Sequence, residues 1–450
     1  MAKTKSTFHL VSMGCSKNTV DSDSMAQLLI RDGYRAVNRP ERASVLIVNT
    51  CGFIESARQE SIAMLQKLAE GKRDGQLLIA AGCLTQRYGT EVANRVPGVD
   101  GILGTRRWMD ILQVVRGLRK AVHPEPLYHL PESATVGIDE ADILRASAYG
   151  ATAYLKIADG CRRPCAFCSI PLIKGTTVSR PMETILDEAR HLRDTGVREL
   201  ILIAQDTTDY GTDLGMKDGL AVLLENISTA VPDLDWIRIM YAYPGYVTDR
   251  LIDVMTSTRQ ILHYLDIPLQ HAHPKTLQRM KRPANMDWVH RTLEKMRAKM
   301  PDIAMRTTFI VGYPGETEEE FRALEGFVRE ARFDRAGVFP FSFEPGTSSE
   351  SLGDPIPPEV KQERHDRLME IQQNISLQVN QSYVGKKLDV LIEGYNDGLA
   401  VGRSYRDTPE VDGYILVEEK LKAGEIVPVK ITGAFTYDLT GARENQVVIL

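Results

Sequence analysis

No stretch of this chain is apolar for anything near the roughly 20 residues that a membrane-spanning helix needs. Its apolar runs, such as Leu77 to Ala81 and Ile201 to Ala204, are far shorter. The lysines of Met1 to Thr7 are followed by no apolar h-region or small-residue cleavage site, so no signal peptide is expected. An excess of positive charge is missing too: 55 Lys and Arg stand against 60 Asp and Glu, a formal net charge of -5. Proteins that grip nucleic acid by its phosphates show a basic face, so the overall balance lends RNA binding no support, leaves room for a local patch, and mildly favours a basic partner. The phosphate loop G-x-x-x-x-G-K-[ST], the dinucleotide fingerprint G-x-G-x-x-G and the zinc-protease motif H-E-x-x-H are all missing, which leaves kinase, dehydrogenase and metalloprotease chemistry without a motif. Cysteine is scarce, with 6 in 450 residues. In a cytoplasmic chain, where thiols are kept reduced, so few are more plausible as metal ligands or redox groups than as disulfides.

Half of those cysteines are packed into Gly160-Cys161-Arg162-Arg163-Pro164-Cys165-Ala166-Phe167-Cys168. Thiolates in this C-x3-C-x2-C spacing can hold three irons of a cubane and leave the fourth open, and an open iron is where a small molecule binds. Electron carriers close every iron with a cysteine, and structural zinc wants four ligands. No fourth cysteine lies near, so zinc would need a remote histidine such as His191. The other three cysteines each stand beside a glycine, in Met13-Gly14-Cys15, Cys51-Gly52-Phe53 and Gly82-Cys83-Leu84. Phe8 to Met13, Val45 to Thr50 and Leu77 to Gly82 are continuous apolar runs followed by helical stretches, the pattern of buried parallel strands. Each glycine-flanked cysteine falls just past a strand's C-terminal end, the edge where open α/β sheets bind ligands, so the three are expected to converge. Glycine there lets the backbone turn tightly against a bulky cofactor. The alternative is three buried structural thiols.

A length of 450 residues and 43% hydrophobic composition leave room for about three domains. The first, 1–121, reads as an open parallel α/β domain. A weakly periodic linker, 122–147, follows with His123-Pro124-Glu125-Pro126 and Pro131-Glu132-Ser133. In 148–382, strand-like runs at Ala153 to Ala158, Glu199 to Ala204, Trp236 to Ala242, Leu262 to Pro268, Met305 to Val311 and Ala336 to Phe343 predict a partial (β/α) barrel with its chemistry on the loops after the strands. A polar helix trails from Pro358 to about Asn380. Last, 383–450 reads as a small antiparallel β-barrel of OB-like type, with runs at Leu388 to Glu393, Tyr414 to Glu418, Ile426 to Thr432 and Gln446 to Leu450. It carries 8 Lys and Arg against 11 Asp and Glu, a sign that argues against a phosphate clamp.

Taken in order, these features resemble the radical S-adenosylmethionine (SAM) methylthiotransferases over essentially the whole chain. The resemblance implies an N-terminal methylthiotransferase domain, a radical SAM core and a TRAM domain. It implies two 4Fe-4S clusters, one on Cys161, Cys165 and Cys168 that chelates SAM, and an auxiliary one on Cys15, Cys51 and Cys83. Ala204-Gln205-Asp206-Thr207-Thr208 with Tyr210-Gly211, the run Tyr264 to His271, Lys281-Arg282-Pro283, Gly402-Arg403-Ser404 and Ala434 to Leu439 resemble the branch that modifies a ribosomal protein. That branch implies methylthiolation of the β-carbon of an aspartate in a small-subunit protein of the decoding centre, in the cytoplasm, without membrane or obligatory nucleic acid. It also implies a flavodoxin- or ferredoxin-like electron donor. The other readings are a methylthiotransferase acting on an adenosine of transfer RNA, and a non-catalytic iron-sulfur or zinc protein.

For SAM itself the candidates are Phe167, similar to the aromatic residue that sits against adenine in the family, Gln205 and Asp206 at a strand end, and the backbone of Gly312 and Tyr313. Core packing for Phe167, a loop cap for Asp206 with Thr207 and Thr208, and a simple turn at Gly312 are the structural alternatives. His271 and His273 lie in a barrel loop, and Lys174 and Arg180 could pair with a carboxylate of SAM or substrate. No catalytic residue is assigned beyond the cluster ligands.

Overall fold

A computed structural model of the protein describes residues 6–120, 125–132 and 143–443. The first module is a parallel sheet of β1 (Thr7–Ser12), β2 (Arg35–Ala36), β3 (Val45–Thr50), β4 (Leu77–Gly82), β5 (Gly101–Gly104) and β6 (Leu127–His129). Helices α1 (Ser16–Arg31), α2 (Glu55–Glu70), α3 (Cys83–Arg95) and α4 (Ile111–Lys120) connect them. Val45–Thr50 is buried at every position, as a strand covered by helices on both faces must be. The strand order β2-β1-β3-β4-β5-β6 puts a topological switch between β1 and β3, where helices leave on opposite faces and a crevice opens. The segment read as a linker contributes β6 to this sheet by parallel pairing with β5. A three-residue edge strand carries too little periodicity to be seen in sequence.

The central module opens with β7 (Ala146–Tyr149), β8 (Thr152–Lys156), β9 (Ala158–Asp159), α5 (Ile170–Lys174) and β10 (Val178–Ser179). It continues through α6 (Met182–Asp194), β11 (Glu199–Ile203), α7 (Gly219–Ala230), β12 (Trp236–Ile239), α8 (Asp249–Ser257), β13 (Ile261–Asp266), α9 (Pro274–Arg279) and α10 (Met286–Lys299), then β14 (Ala304–Val311), α11 (Glu318–Ala331), β15 (Arg335–Pro340) and α12 (Pro358–Gln381). The six expected strands run parallel in the order β15-β14-β13-β12-β11-β8, with β7 added antiparallel at one edge, so the barrel is open. Its largest apolar core lies between this sheet and the surrounding helices. Thr317 and Glu320 close a reciprocal capping box that starts α11 sharply after the loop of Gly312.

A closed barrel of β16 (Lys387–Asn396), β17 (Leu399–Arg403), β18 (Ile415–Val417), β19 (Ile426–Ala434) and β20 (Leu439–Arg443) ends the described chain. The β18–β20 pair is parallel, a departure from the expected all-antiparallel barrel. Gln446 to Leu450 lies outside the described residues. This barrel seals the base of the central one with buried charge pairs. Arg403 and Arg238 both grip Glu199 (2.7 Å each), Arg406 meets Asp334 (3.0 Å), Arg335 meets Asp407 (3.0 Å), and the Tyr264 hydroxyl donates to Asp412 (2.8 Å). No helix among the described residues is long and apolar enough to cross a membrane.

Candidate active site at the barrel mouth

Cys15, Cys51 and Cys83 are brought together by backbone approaches that only glycine permits. Gly14 has φ +87°, and a Cβ there would stand 2.8 Å from the Cys51 Cβ and 3.0 Å from its Sγ. A Cβ on Gly52 would lie 2.7 Å from the Leu84 nitrogen and 3.0 Å from the Cys83 carbonyl carbon. Gly82, at φ +106°, leaves no room beside the Asn49 side chain and the Thr50 backbone. Asn18, buried in the first turn of α1, stitches the loops: its amide donates to the carbonyls of Met13 (2.9 Å) and Thr50 (3.0 Å), and its oxygen faces the Cys83 Sγ (3.7 Å). Two of the three cysteines therefore flank the sheet's switch point, after β1 and after β3.

Burial pushes the Cys83 thiol up to about 12, with Lys174 pulling against it and Cys51 and Cys15 adding to it. Cys51 is raised by the same desolvation. Desolvation also acts upward on Cys15, but the Lys17 ammonium, the Asn18 N–H and Lys174 outweigh it, and that thiol is lowered. Metal charge is what turns such buried thiols into thiolates. Among the described residues no three His, Cys, Asp or Glu side chains close on a single ion. An iron-sulfur cube spreads its thiolates farther apart than one ion does, and three convergent cysteines on glycine-cleared backbone suit it.

The second trio sits in the loop between β9 and α5. Cys161 donates its N–H to Gly175 O (3.0 Å), Cys168 donates to Cys165 O (3.2 Å), and Ala166 is clamped between Met280 O (2.8 Å) and the Ser349 N–H (2.9 Å). Burial pushes Cys161 up to about 11 and Cys168 up to about 12, and nearby Cys165 adds to both. Beside Cys165 Sγ stand Arg282 Nη1 at 3.5 Å and the Tyr243 hydroxyl at 3.7 Å. His191 lies exposed in the last turn of α6. That helix runs from the mouth back toward the base, so its last turn is at the opposite end from the cysteine loop, and the remote-histidine zinc site has no geometric support.

The two cysteine loops touch: Ser169, next to Cys168, donates its hydroxyl to the carbonyl of Phe53, two residues past Cys51, at 3.3 Å. Around this point Arg87 pairs with Glu344 (2.6 Å) and the Lys17 ammonium lies over the Tyr241 ring, 3.3 Å from its centre. Asp21 of α1 is buried against Lys156, Lys174 (2.9 Å) and Arg145 (3.3 Å), and Asp159 joins the same group through Arg145 (2.8 Å). Lys174 is thus occupied by the protein's own carboxylates. Arg180 likewise pairs with Glu188 (2.8 Å), so neither is free for a substrate carboxylate.

The residues read as SAM contacts divide. Phe167 is half-buried and packs on Met280, Tyr313 and Phe341 at the rim of the mouth. Tyr313 is fully buried, its ring edge-on to Phe341 (5.2 Å) and its hydroxyl on Ser349 Oγ (2.6 Å), so it can offer a ligand only backbone. The Gly312 N–H is already held by the Glu316 carboxylate (3.1 Å), leaving the carbonyl side of that turn. Asp206 does cap Thr208 (2.9 Å), and it also pairs with Arg163 (2.6 Å). Gln205 Oε1 and Gln270 Oε1, past the ends of β11 and β13, are buried without a partner, which marks them as open polar contacts for a bound molecule. Gln270 (φ +74°) and Tyr241 (φ +61°) hold left-handed backbone at this mouth, strain that collects at functional sites. His271 is buried with its Nδ1 accepting from the His273 N–H (3.0 Å), while its Nε2, 3.4 Å from Glu316, makes no hydrogen bond among the described residues. Sequence reasoning missed Asn18 and Arg282 as site residues, and placed Tyr243 on a barrel loop without giving it a role. Their signals were position: Asn18 follows Cys15 by three, Arg282 stands in the Lys281-Arg282-Pro283 run, and Tyr243 directly follows the strand-like run Trp236 to Ala242.

Comparison with known proteins adds independent findings. Residues 7–104 match the model of an uncharacterized protein family, UPF0004, residues 155–328 the radical SAM superfamily, and 384–443 the TRAM domain. The chain is 48% identical over 450 residues to the ribosomal protein uS12 methylthiotransferase RimO of Chloroflexus aurantiacus, covering 96% of this chain and 99% of that one. It is 46% identical to the RimO of a Roseiflexus species, with 96% of each covered. Among solved structures, the radical SAM methyltransferase TsrM of Kitasatospora setae superposes with TM-score 0.57 over 88% of this chain and 77% of that one, at 11% identity. The cobalamin-dependent SAM radical enzyme OxsB superposes with TM-score 0.51 over 82% of this chain and 56% of that one, at 10% identity. These two likenesses speak for the fold alone.

Proposed function

The chain belongs to the radical SAM methylthiotransferases, in the RimO branch, and from that premise we propose that it methylthiolates ribosomal protein uS12 at the β-carbon of an aspartate, using two 4Fe-4S clusters. One observation carries the reading. The loops that carry the two cysteine trios, from different modules, touch through the Ser169 to Phe53 hydrogen bond. A β-carbon C–H has no useful acidity, so general acid-base catalysis cannot activate it and a radical source is required. Cys161, Cys165 and Cys168 would hold the cluster that supplies one-electron reduction of SAM, and Cys15, Cys51 and Cys83 would hold the one that supplies sulfur.

The chain's own residues position and enclose. Phe167 borders the space for adenine, and Gln205 and Gln270 offer buried amide oxygens to SAM or substrate. Arg282 puts a fixed positive charge 3.5 Å from the Cys165 sulfur. Asn18 and the three glycines hold the auxiliary thiols in register with the mouth. Fixing both reactants on one rigid rim gives the proximity that such a transfer needs. The net charge of -5 complements a basic ribosomal protein, and the reaction belongs in the cytoplasm with its electron donor.

The test is anaerobic reconstitution with iron and sulfide, then incubation with SAM, a reductant and either uS12 or transfer RNA. Mass spectrometry should find one methylthio group on a uS12 aspartate. A methylthio group on RNA alone would overturn the substrate.

A further inference from the structure

One cavity of the central module borders the second cysteine loop and shares Tyr243 and Arg163 with the site described so far. It holds about 500 Å³ and is lined by Arg162, Arg163, Tyr243, Tyr246 and Lys281, with two prolines. Its charges are sorted by depth. Arg162 keeps 44% of its side chain in solvent and Lys281 is exposed, while the carboxylates that balance the arginines, Asp206 and Asp209, are buried below them. Among the described residues Lys281 bonds only the Ser348 hydroxyl (3.2 Å). Solvent therefore meets a cationic lip on a chain of net charge -5.

The floor is aromatic and leads inward. Tyr246 is 46% exposed, with the Arg163 guanidinium stacked over it at 3.6 Å. Its ring meets Tyr243 edge-on at 5.8 Å, and the Tyr243 hydroxyl stands 3.7 Å from Cys165 Sγ. Two side chains thus connect the solvent to a ligand of the electron-accepting group, in a cavity lined by residues of the central module alone.

We propose that this groove is the docking site for an acidic one-electron carrier protein, whose electron enters beside Cys165 along Tyr246 and Tyr243. This rests on the radical SAM reading, which requires an external electron. In the transfer the carrier is oxidised by one electron and the iron-sulfur group of the second trio is reduced by one, with no bond made or broken. Charge complementarity selects the carrier and repels the basic ribosomal substrate. RNA would also welcome cations and aromatic rings, but it would gain nothing from contact with a cysteine ligand's neighbour.

The experiment uses the full chain and oxidised flavodoxin, an acidic flavin protein, as probe. Titration calorimetry should show binding that weakens with added salt and that Lys281→Glu weakens about tenfold or more, with Arg162→Gln weakening it less. In the reconstituted enzyme, SAM cleavage driven by reduced flavodoxin should fall in step in both variants, while cleavage driven by dithionite stays within about twofold of wild type. The proposal is overturned if flavodoxin binds and drives both variants as it does wild type, if flavodoxin- and dithionite-driven rates fall together, or if a short oligouridine fills the groove without slowing flavodoxin. Absence of dithionite-driven cleavage in wild type would instead sink the radical SAM reading, with the binding data still judging the groove.

Discussion

Cys161, Cys165 and Cys168 are held by one short loop that is bonded to its own neighbours, whereas Cys15, Cys51 and Cys83 come from the ends of three strands and meet only because a sheet lines those ends up. The first arrangement is local. A short loop closes at little entropic cost, and its ligands stay near one another even when the surroundings loosen. The second is global, since its geometry depends on register between β1, β3 and β4, on Asn18, and on three glycines with no space for a methyl group. Two sites with the same ligand chemistry therefore differ in what can destroy them.

The sharpest way to break this comparison is to remove one ligand from each. Cys165→Ala should abolish reductive SAM cleavage, read as 5'-deoxyadenosine, whereas Cys51→Ala should leave cleavage and stop methylthio transfer to uS12. Equal loss of both activities in folded protein would end the division of labour. Next in size is Asp21→Ala, which leaves the buried Lys156, Lys174 and Arg145 to share the single carboxylate of Asp159. Removing one partner of a buried ion pair costs about 3–5 kcal/mol, so calorimetry should resolve an earlier transition of the first module.

Glu199 supplies a contrast in which neither trio is touched. Burial acts to raise its carboxyl, but Arg403 and Arg238 outweigh that and hold it at about 2, against 4.5 unperturbed. Its contribution, about 3 kcal/mol, is in place above pH 4.5 and fades as pH falls through that window toward 2. Glu199→Gln should therefore lower stability at neutral pH and flatten the acid limb of denaturation, with both clusters retaining iron. Gly82→Ala acts on the first trio alone, adding to about 1–3 kcal/mol of backbone strain a clash of the new Cβ with Asn49 and the Thr50 backbone. Iron analysis should show the first trio losing its cluster while the second keeps its own.

Much of this was legible in sequence because it depends on local pattern. The parallel strands at Val45–Thr50 and Leu77–Gly82 follow from continuous apolar runs, and the second trio from its spacing. Short elements escaped: β6 and β17 are too brief, or too glycine-rich, to show a period. Charged residues misled for a related reason. Lys174 and Arg180 looked like ligands for a substrate carboxylate, yet each is neutralised by an acid far along the chain or across a turn, which spacing does not reveal.

The sequence by itself determined the chemistry, because thiolate spacing, glycine neighbours and apolar periodicity are properties of adjacent residues. Only the tertiary structure decided where that chemistry is assembled. It set the second loop against the first through Ser169 and Phe53, buried Asp21 among the barrel's lysines, and turned the terminal barrel into a seal for the base. Those contacts join residues distant in the chain, and their energies exist only once both partners have left water together.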